Sequence, residues 1–294
     1  MMISNLFYSI VFLMSRIPWP VAQLAGKMLG LSFSKLPILR RDDIQESIVR
    51  SFEGRLSEED CRKILRGVYI HFGQMVFEVP HILRLNHENL SRYVVFENEE
   101  NLRNALAKGK GVFILTAHFG NWELMSAAVP LHFGRQAAVV VRPIDFAPMD
   151  RLVSRIRSRF GTEVIPKQRS MRQIFLALKK QKLIGILLDQ NVDWYEGVFT
   201  PFLGSWACTN KGLALMAVKT GSPVVPAFPV RQEDGRHRII FEKEIPLVSG
   251  DKTAEVEENT ILFTRVIESF VRRFPDHWFW FHRRWKTRNF CELP

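Results

Sequence analysis

Cysteine is scarce in this chain: Cys61, Cys208 and Cys291 are the only three in 294 residues. They are odd in number, far apart and in no C-x-x-C pattern. That argues against a disulfide framework and a structural zinc site, and fits a reducing compartment. No H-E-x-x-H occurs, nor a second histidine at ligand spacing, so no metal site is expected. A spanning helix needs ~20 apolar residues. The longest apolar run here, "LFYSIVFLM" (Leu6 to Met14), falls short, and Arg16, Pro18 and Pro20 break its continuation. The opening also lacks the positive charge and the small-residue site of a cleaved signal peptide. No repeat, low-complexity tract or Pro/Gly/Ser-rich linker divides the chain. Acids are under-represented, 30 against 41 Lys and Arg, leaving a net charge of +11. Such a surplus points to an anionic partner: nucleic acid, a phospholipid surface or an acidic protein. With no helix-turn-helix, zinc-finger or RNP pattern, nucleic acid is not expected among the partners.

What is present begins with fifteen residues free of charged side chains. They read as a short or tilted anchor, a helix lying in the membrane interface, or a helix docked on the protein's own core. Lys27, Lys35, Arg40 and Arg41 follow and favour a cytoplasmic body. Residues 1–34 are therefore read as a membrane-anchoring or interfacial segment, and 35–294 as one catalytic-sized domain.

Within that domain a helix is expected from about Ser57 to Leu85. Ser57 is its N-cap, three acids fill its first turn, and Ile64, Val68, Phe72, Met75 and Val76 recur at helical spacing. Four solidly aliphatic runs follow: Gly111–Ala117, Ala137–Val141, Leu183–Leu188 and Val224–Val230. Strands covered on both faces read this way. Helical stretches lie between them, at Trp122–Pro130, Met149–Phe160, Met171–Lys179 and Asn210–Thr220. "HRIIFEKEIPL" (His237 to Leu247) reads as an edge or antiparallel strand, and a last helix runs from about Thr253 to Phe274. Alternation of this kind predicts an α/β fold: a mixed, largely parallel sheet flanked by helices, behind an N-terminal hydrophobic helix.

Ligands of open α/β sheets gather at the carboxyl ends of the strands. The first run ends in His118, the second in Arg142, the third in Asp189 and Gln190. His118 and Glu123 are five apart, which on a continuous helix points them about 140° apart. Gly120, however, permits a backbone reversal, and Asn121 is a good N-cap. Glu123 then falls in a helix's first turn, from where it can fold back towards the imidazole. A carboxylate on one ring nitrogen fixes the tautomer and stabilises the imidazolium formed at the other. With no serine or cysteine nucleophile beside it, the pair suits a substrate hydroxyl activated by His118 as general base. The plainer alternative is a structural histidine at a strand end.

"HFGNWE" (His118 to Glu123) resembles the H-x-x-x-x-[DE] motif of glycerolipid and lipid A acyltransferases, and its "NWE" form is similar to the late acyltransferases of lipid A biosynthesis. "VVVRP" (Val139 to Pro143), "DQNVDWYEGVFTPFLG" (Asp189 to Gly204), "GSPVVPAFPVR" (Gly221 to Arg231) and "WFWFHRRWKTR" (Trp278 to Arg288) resemble further blocks of that family, in order. Two positions depart from its pattern: Asn191, where aspartate is common, and Leu203, where phenylalanine is common. Both lie in the block expected to shape substrate fit.

The resemblance implies fatty acyl transfer from a thioester to a hydroxyl of a membrane glycolipid, a lipid A precursor above all. The donor is acyl carrier protein, with acyl-CoA as the alternative, and no cofactor is needed. His118 is the base and Glu123 its orienting partner. Gly120, Asn121, Arg142, Asp189, Gln190, Phe199, Pro201 and Phe202 are the substrate-binding candidates. Arg142 would bind a phosphate and Asp189 an acceptor hydroxyl or a nearby arginine; the Phe199–Phe202 block would line the acyl chain. Backbone N–H groups at the Gly120–Trp122 turn or Arg142 would meet the oxyanion. Basic residues near Arg40–Arg41, Arg151–Arg159 and Arg283–Arg288 would steer an acidic carrier protein and an anionic lipid to the cytoplasmic face of the inner membrane. Acylation of another glycolipid or of a phospholipid, and a thioesterase using the same dyad on water, are the alternatives.

Overall fold

The computed structural model describes residues 2–36, 40–52, 54–141, 145–168 and 170–287. Among the described residues nine strands alternate with helices: β1 (Val94–Glu97), β2 (Val112–Thr116), β3 (Ala137–Val141), β4 (Glu163–Pro166), β5 (Leu183–Leu187), β6 (Gly197–Phe202), β7 (Ser205–Asn210), β8 (Val224–Arg231) and β9 (His237–Phe241). Seven make one sheet in the order β1-β9-β8-β2-β5-β3-β4, and β6 and β7 form a separate antiparallel hairpin. Within the large sheet only the β8–β9 pairing is antiparallel. β9 is therefore antiparallel as expected, but β1 lies outside it, so it is not an edge.

The helices are α1 (Met2–Met14), α2 (Trp19–Lys35), α3 (Arg41–Ser51), α4 (Glu58–Glu78), α5 (Glu99–Ala107), α6 (Trp122–Phe133), α7 (Ala147–Arg157), α8 (Ser170–Lys179), α9 (Gly212–Thr220) and α10 (Lys252–Arg273). The central strand β2 is buried throughout. Alternate residues feed opposite cores, as a period of two requires. Val112 and Ile114 join Leu102, Leu124, Val129 and Ile156 from α5–α7; Phe113 and Leu115 join Ile174, Leu213, Phe263 and Phe270 from α8–α10. Burial on both faces explains why the strand runs carry no polar alternation.

Ser57 caps α4 by accepting from the Asp60 N–H at 3.1 Å. The helix stops sooner than its periodicity suggests. It ends at Glu78 and tightens into a 3-10 stretch, Val79–Arg84, that carries Pro80. The pyrrolidine ring cannot donate into a regular α-helical ladder.

The N-terminal helices each have two faces. α2 packs on α4 backbone to backbone: a methyl added at Gly26 or Gly30 would overlap the main chain around Tyr69–Gln74. α1 lies on α7, with the Arg155 guanidinium 3.7 Å above the Tyr8 ring. Outward, α1 exposes Leu6, Ile10 and Leu13, and α2 exposes Val21, Leu24 and Met28. Among the described residues no helix is long and apolar enough to cross a membrane.

Candidate active site

β2 and β5 lie side by side, with Thr116 paired to Leu187. Two residues beyond each, the chain delivers His118 and Asp189 at the same level of the carboxyl rim. His118 Nδ1 is 2.9 Å from Asp189 Oδ1, and the His118 backbone N–H donates to Oδ2 at 3.0 Å. The Trp278 indole donates to the same Oδ2 at 2.9 Å. The Asp189 carboxylate is wholly buried, whereas about a fifth of the His118 side chain reaches solvent, 20%. Burial by itself would raise the Asp189 carboxyl. The His118 ring and its hydrogen bond, aided by His282 and Trp278, outweigh burial and hold the group well below the usual carboxylate range. An ionised carboxylate accepts only, so Nδ1 carries the proton and Nε2 is left as the basic atom at the rim.

The turn after His118 is shaped by its contacts. Gly120 has φ +54°, and a methyl there would overlap the Pro229 carbonyl oxygen. The C-terminal segment lies antiparallel along the turn. Phe279 N–H donates to the His118 carbonyl at 2.8 Å, and Gly120 N–H donates to the His277 carbonyl at 2.8 Å. Rings close over the imidazole: Trp122 meets it edge-on at 5.2 Å and Phe279 lies at 6.3 Å.

Glu123 does not face His118, so the expected local dyad is corrected. Its carboxylate takes both the Nη2 and, at 2.9 Å, the Nε of Arg157 at the end of α7, and the Trp122 indole at 3.1 Å. The Arg157 guanidinium has the geometry to compete for it, with two donors in a fixed fork. Asp189, expected to hold an acceptor hydroxyl or an arginine, is the carboxylate that meets the His118 ring, and its side chain is closed off from solvent. Asn121 is fully buried: its Oδ1 caps α6 by accepting from Leu124 N–H at 3.0 Å, and its Nδ2 donates to Glu78 at 2.9 Å. Both polar ends of its side chain are thus spent within the protein, one on the helix and one on Glu78. The Gly120 N–H, spent on His277, is not a free oxyanion donor. Gln190 is exposed, with its Nε2 3.3 Å from His118 Nε2. Phe202 is a core residue packed on Trp278 and Trp285. Pro201 is exposed and Phe199 half-buried on the β6–β7 hairpin, which packs on α10. Arg142 lies outside the described residues.

The two positions that depart from the family pattern are structural as well. Asn191 exchanges two hydrogen bonds with Thr287, donating at 2.9 Å and accepting at 3.1 Å, and so pins the C-terminal segment. Leu203 is buried in the hairpin turn at φ +50°.

Sequence reasoning missed Trp278, His282 and Arg284, which sat in a segment noted only for resemblance and positive charge. His282 donates from Nε2 to the Asp189 carbonyl at 3.0 Å. Burial pushes its pKa down to about 4, so it is neutral near pH 7. Arg284 is no surface cation: fully buried, it donates to the carbonyls of Gln190 and Cys208 and to the Thr209 hydroxyl. Arg151, Arg155 and Arg159 are exposed as the charge reading expects. Among the described residues no group of three or more His, Cys, Asp or Glu side chains is disposed to hold a metal ion.

A histidine–carboxylate pair at the rim of such a sheet is compatible with several chemistries. Residues 2–287 match the family model described as bacterial lipid A biosynthesis acyltransferase. The chain belongs to that family. The enzyme is an acyltransferase, and its relatives span two kinds of glycolipid. It is 24% identical over 283 residues to the lipid A biosynthesis lauroyltransferase of Escherichia coli (strain K12), covering 95% of this chain and 90% of that one. It is 24% identical over 281 residues to the palmitoleoyltransferase of the same strain, covering 95% and 89%. It is 23% identical over 221 residues to the phosphatidylinositol mannoside acyltransferase of Mycolicibacterium smegmatis, covering 74% and 69%. A solved 1-acyl-sn-glycerophosphate acyltransferase from Thermotoga maritima aligns over 87% of this chain and 98% of its own, at 14% identity and a TM-score of 0.38. No site detail carries over at that distance.

Proposed function

We propose that this acyltransferase moves a fatty acyl group from an acyl carrier protein thioester to a hydroxyl of a lipid A precursor, with His118 as general base and Asp189 as its orienting carboxylate. The observation that carries this reading is the 2.9 Å contact between His118 Nδ1 and the buried Asp189, which leaves Nε2 at the rim. In the first step Nε2 takes the proton of the acceptor hydroxyl as its oxygen attacks the thioester carbonyl carbon. The imidazolium so formed is stabilised by Asp189. The tetrahedral oxyanion then collapses, the C–S bond breaks, and the leaving thiolate recovers the proton from His118. The backbone N–H groups of Trp122 and Glu123 open α6, where no intrahelical acceptor exists for them, and they are the candidate donors for the oxyanion. The Gln190 amide at 3.3 Å stands where the acceptor hydroxyl must come, so substrate has to displace it.

The reaction takes place at a membrane surface in this reading, on the cytoplasmic face of the inner membrane. Thirteen residues of α1 extend about 20 Å, short of the roughly 30 Å of hydrocarbon. The exposed rows Leu6–Ile10–Leu13 and Val21–Leu24–Met28 instead suit helices lying in the interface, flanked by Arg16 and Lys27. The exposed Arg151, Arg155 and Arg159 suit an acidic carrier protein or anionic headgroups.

The test supplies dodecanoyl-acyl carrier protein with and without a lipid A precursor in mixed micelles. Acylated acceptor formed by the wild type and lost in a folded His118→Ala variant supports the proposal. Free fatty acid released at the same rate regardless of acceptor would make the protein a thioesterase instead.

A further inference from the structure

A second buried carboxylate lies behind the catalytic turn, and the mechanism above does not use it. Glu78 ends α4 with its side chain wholly out of solvent. Donors converge on it from four other elements of the molecule. Arg231 at the end of β8 gives Nη1 to Oε1, and Nη2 to Oε2 at 3.0 Å. His237 of β9 gives Nε2 at 3.0 Å, and Gln23 of α2 gives Nε2 at 3.2 Å. The last donor is Nδ2 of Asn121, in the catalytic turn itself, at 2.9 Å. Burial would raise the Glu78 carboxyl, but Arg231 and His237 outweigh it and keep the group ionised.

The choice of residue at 121 is informative. Capping α6 needs only a side-chain oxygen, and serine or aspartate supplies one as well as asparagine does. Asparagine adds a donor, and that donor is the half spent on Glu78. The turn is tied to the same ion pair a second time. Arg231 donates its backbone N–H to His277 Nε2 at 3.1 Å, and the His277 carbonyl accepts the Gly120 N–H at 2.8 Å. Both residues between His118 and α6 that carry a positioning contact therefore lead back to the Glu78–Arg231 pair.

We propose that Glu78 is a positioning residue for acyl transfer: through Asn121 it fixes the orientation of the 118–121 turn, and with it the direction in which His118 presents Nε2. This rests on the reading of His118 as the base. It makes the buried cluster part of the reaction's geometry as well as of the core, because a misplacement of ~1 Å at a reacting group costs on the order of 100-fold in rate.

The experiment uses the full-length protein with dodecanoyl-acyl carrier protein and a lipid A precursor. Asn121→Ser keeps the cap oxygen and removes only the donor to Glu78. It is expected to lower kcat by about 10- to 100-fold with KM for both substrates essentially unchanged, and to lower the melting temperature by a few degrees as the buried carboxylate loses a donor, while the protein stays fully folded at the assay temperature. Asn121→Asp, which sets a carboxylate against Glu78, is expected to fall further. Where Glu78→Ala folds, the double variant with Asn121→Ser should be no worse in kcat than Glu78→Ala alone, since the Asn121–Glu78 hydrogen bond is already absent there. Asn121→Ser turning over at the wild-type rate, losing activity only in step with its folded fraction, or adding fully to Glu78→Ala overturns the proposal. A folded His118→Ala variant run alongside separates the two readings. If it is dead while Asn121→Ser is fully active, only the role of Glu78 fails; if it is active, the base assignment fails as well.

Discussion

Asp189 Oδ1 lies 2.9 Å from His118 Nδ1 across 71 residues of sequence, because adjacent parallel strands end in register beneath both groups. The carboxylate is also the acceptor for the His118 backbone N–H and the Trp278 indole, so its position is fixed from three sides. Orientation of the imidazole is thus set from two directions: by the sheet, which brings Asp189 to Nδ1, and by the turn that carries the histidine, held through Asn121 and Gly120.

Asp189→Asn is the sharpest probe of that relationship. An amide keeps the shape but can donate to Nδ1, which favours the tautomer with its proton on Nε2. That tautomer cannot accept from a hydroxyl. A loss of about 10⁴-fold in kcat is expected, as for other orienting aspartates, in a protein that still folds. Steady-state kinetics on the purified variant checks it. A loss below tenfold would return Asp189 to a structural role.

Glu123 and Arg157 make the complementary prediction. Each single reversal, Glu123→Arg or Arg157→Glu, sets like charges together in a half-buried site and should lower both melting temperature and kcat. The exchange of both should recover about tenfold in kcat over either single variant. Recovery stays incomplete, since an arginine in the first turn of α6 opposes the helix dipole. Were Glu123 working on the imidazole, the exchanged protein would be no better than Glu123→Arg. Melts and turnover on the four proteins decide it.

The same pair shows what could be read in advance. His118 at a strand end, the reversal at Gly120 and the cap at Asn121 are local matters of spacing and residue type, and they were legible. So were the strands covered on both faces, whose aliphatic runs follow from burial alone. The partner of His118 was not legible from spacing. It depends on which strand lies beside β2, and the nearby Glu123 satisfied the same chemistry on paper. Arg157 captures Glu123 from α7, a contact set by how two helices pack. Arg284 was counted with the surface charges because nothing in "FHRRWK" marks one arginine as buried. β1, β4 and the β6–β7 hairpin escaped notice because VVFE, EVIP, GVFTPF and SWACTN mix apolar with polar residues, glycine or proline and form no solid aliphatic run.

Buried histidines predict how stability falls in acid. His282 titrates at about 4 in the folded protein because burial disfavours its charged form. The reference value in an unfolded chain is ~6.5. Between these values the unfolded state binds a proton that the folded state refuses, so stability rises with pH across that window. The contribution is full above pH ~6.5 and is lost as pH falls towards 4, by roughly 3 kcal/mol in all. His71 and His237 are shifted in the same direction, burial again being the main cause. Asp189 acts lower down: its depressed pKa gives stability that is lost only as pH drops below the ordinary aspartate range near 3.9. Denaturant melts between pH 7.5 and 4.5 should therefore show wild-type stability declining. His282→Gln, which keeps a donor for the Asp189 carbonyl but cannot titrate, should flatten part of that slope. Parallel curves for the two proteins would mean that His282 takes up its proton over the same pH range in the folded and unfolded states.

The outward face of α1 can be tested without touching the site. Leu6, Ile10 and Leu13 are 61%, 45% and 65% exposed, one turn apart on a helix whose other face is held by α7. Side chains this exposed make little of the protein's own core, so their replacement by serine should leave the melting temperature near that of the wild type. Transfer of each into a lipid interface is worth about 1 kcal/mol. The triple variant should therefore bind vesicles of phosphatidylethanolamine and phosphatidylglycerol about 100-fold more weakly. Added salt should weaken the wild type partially, by screening Arg16 and Lys27, but should not mimic the triple variant, since apolar burial is not screened. Sedimentation with vesicles gives the partition coefficients. Turnover on a micellar acceptor should fall much less than turnover on acceptor embedded in vesicles, because only the second requires the helix to find a bilayer. Equal binding by wild type and variant would assign membrane contact to another part of the surface.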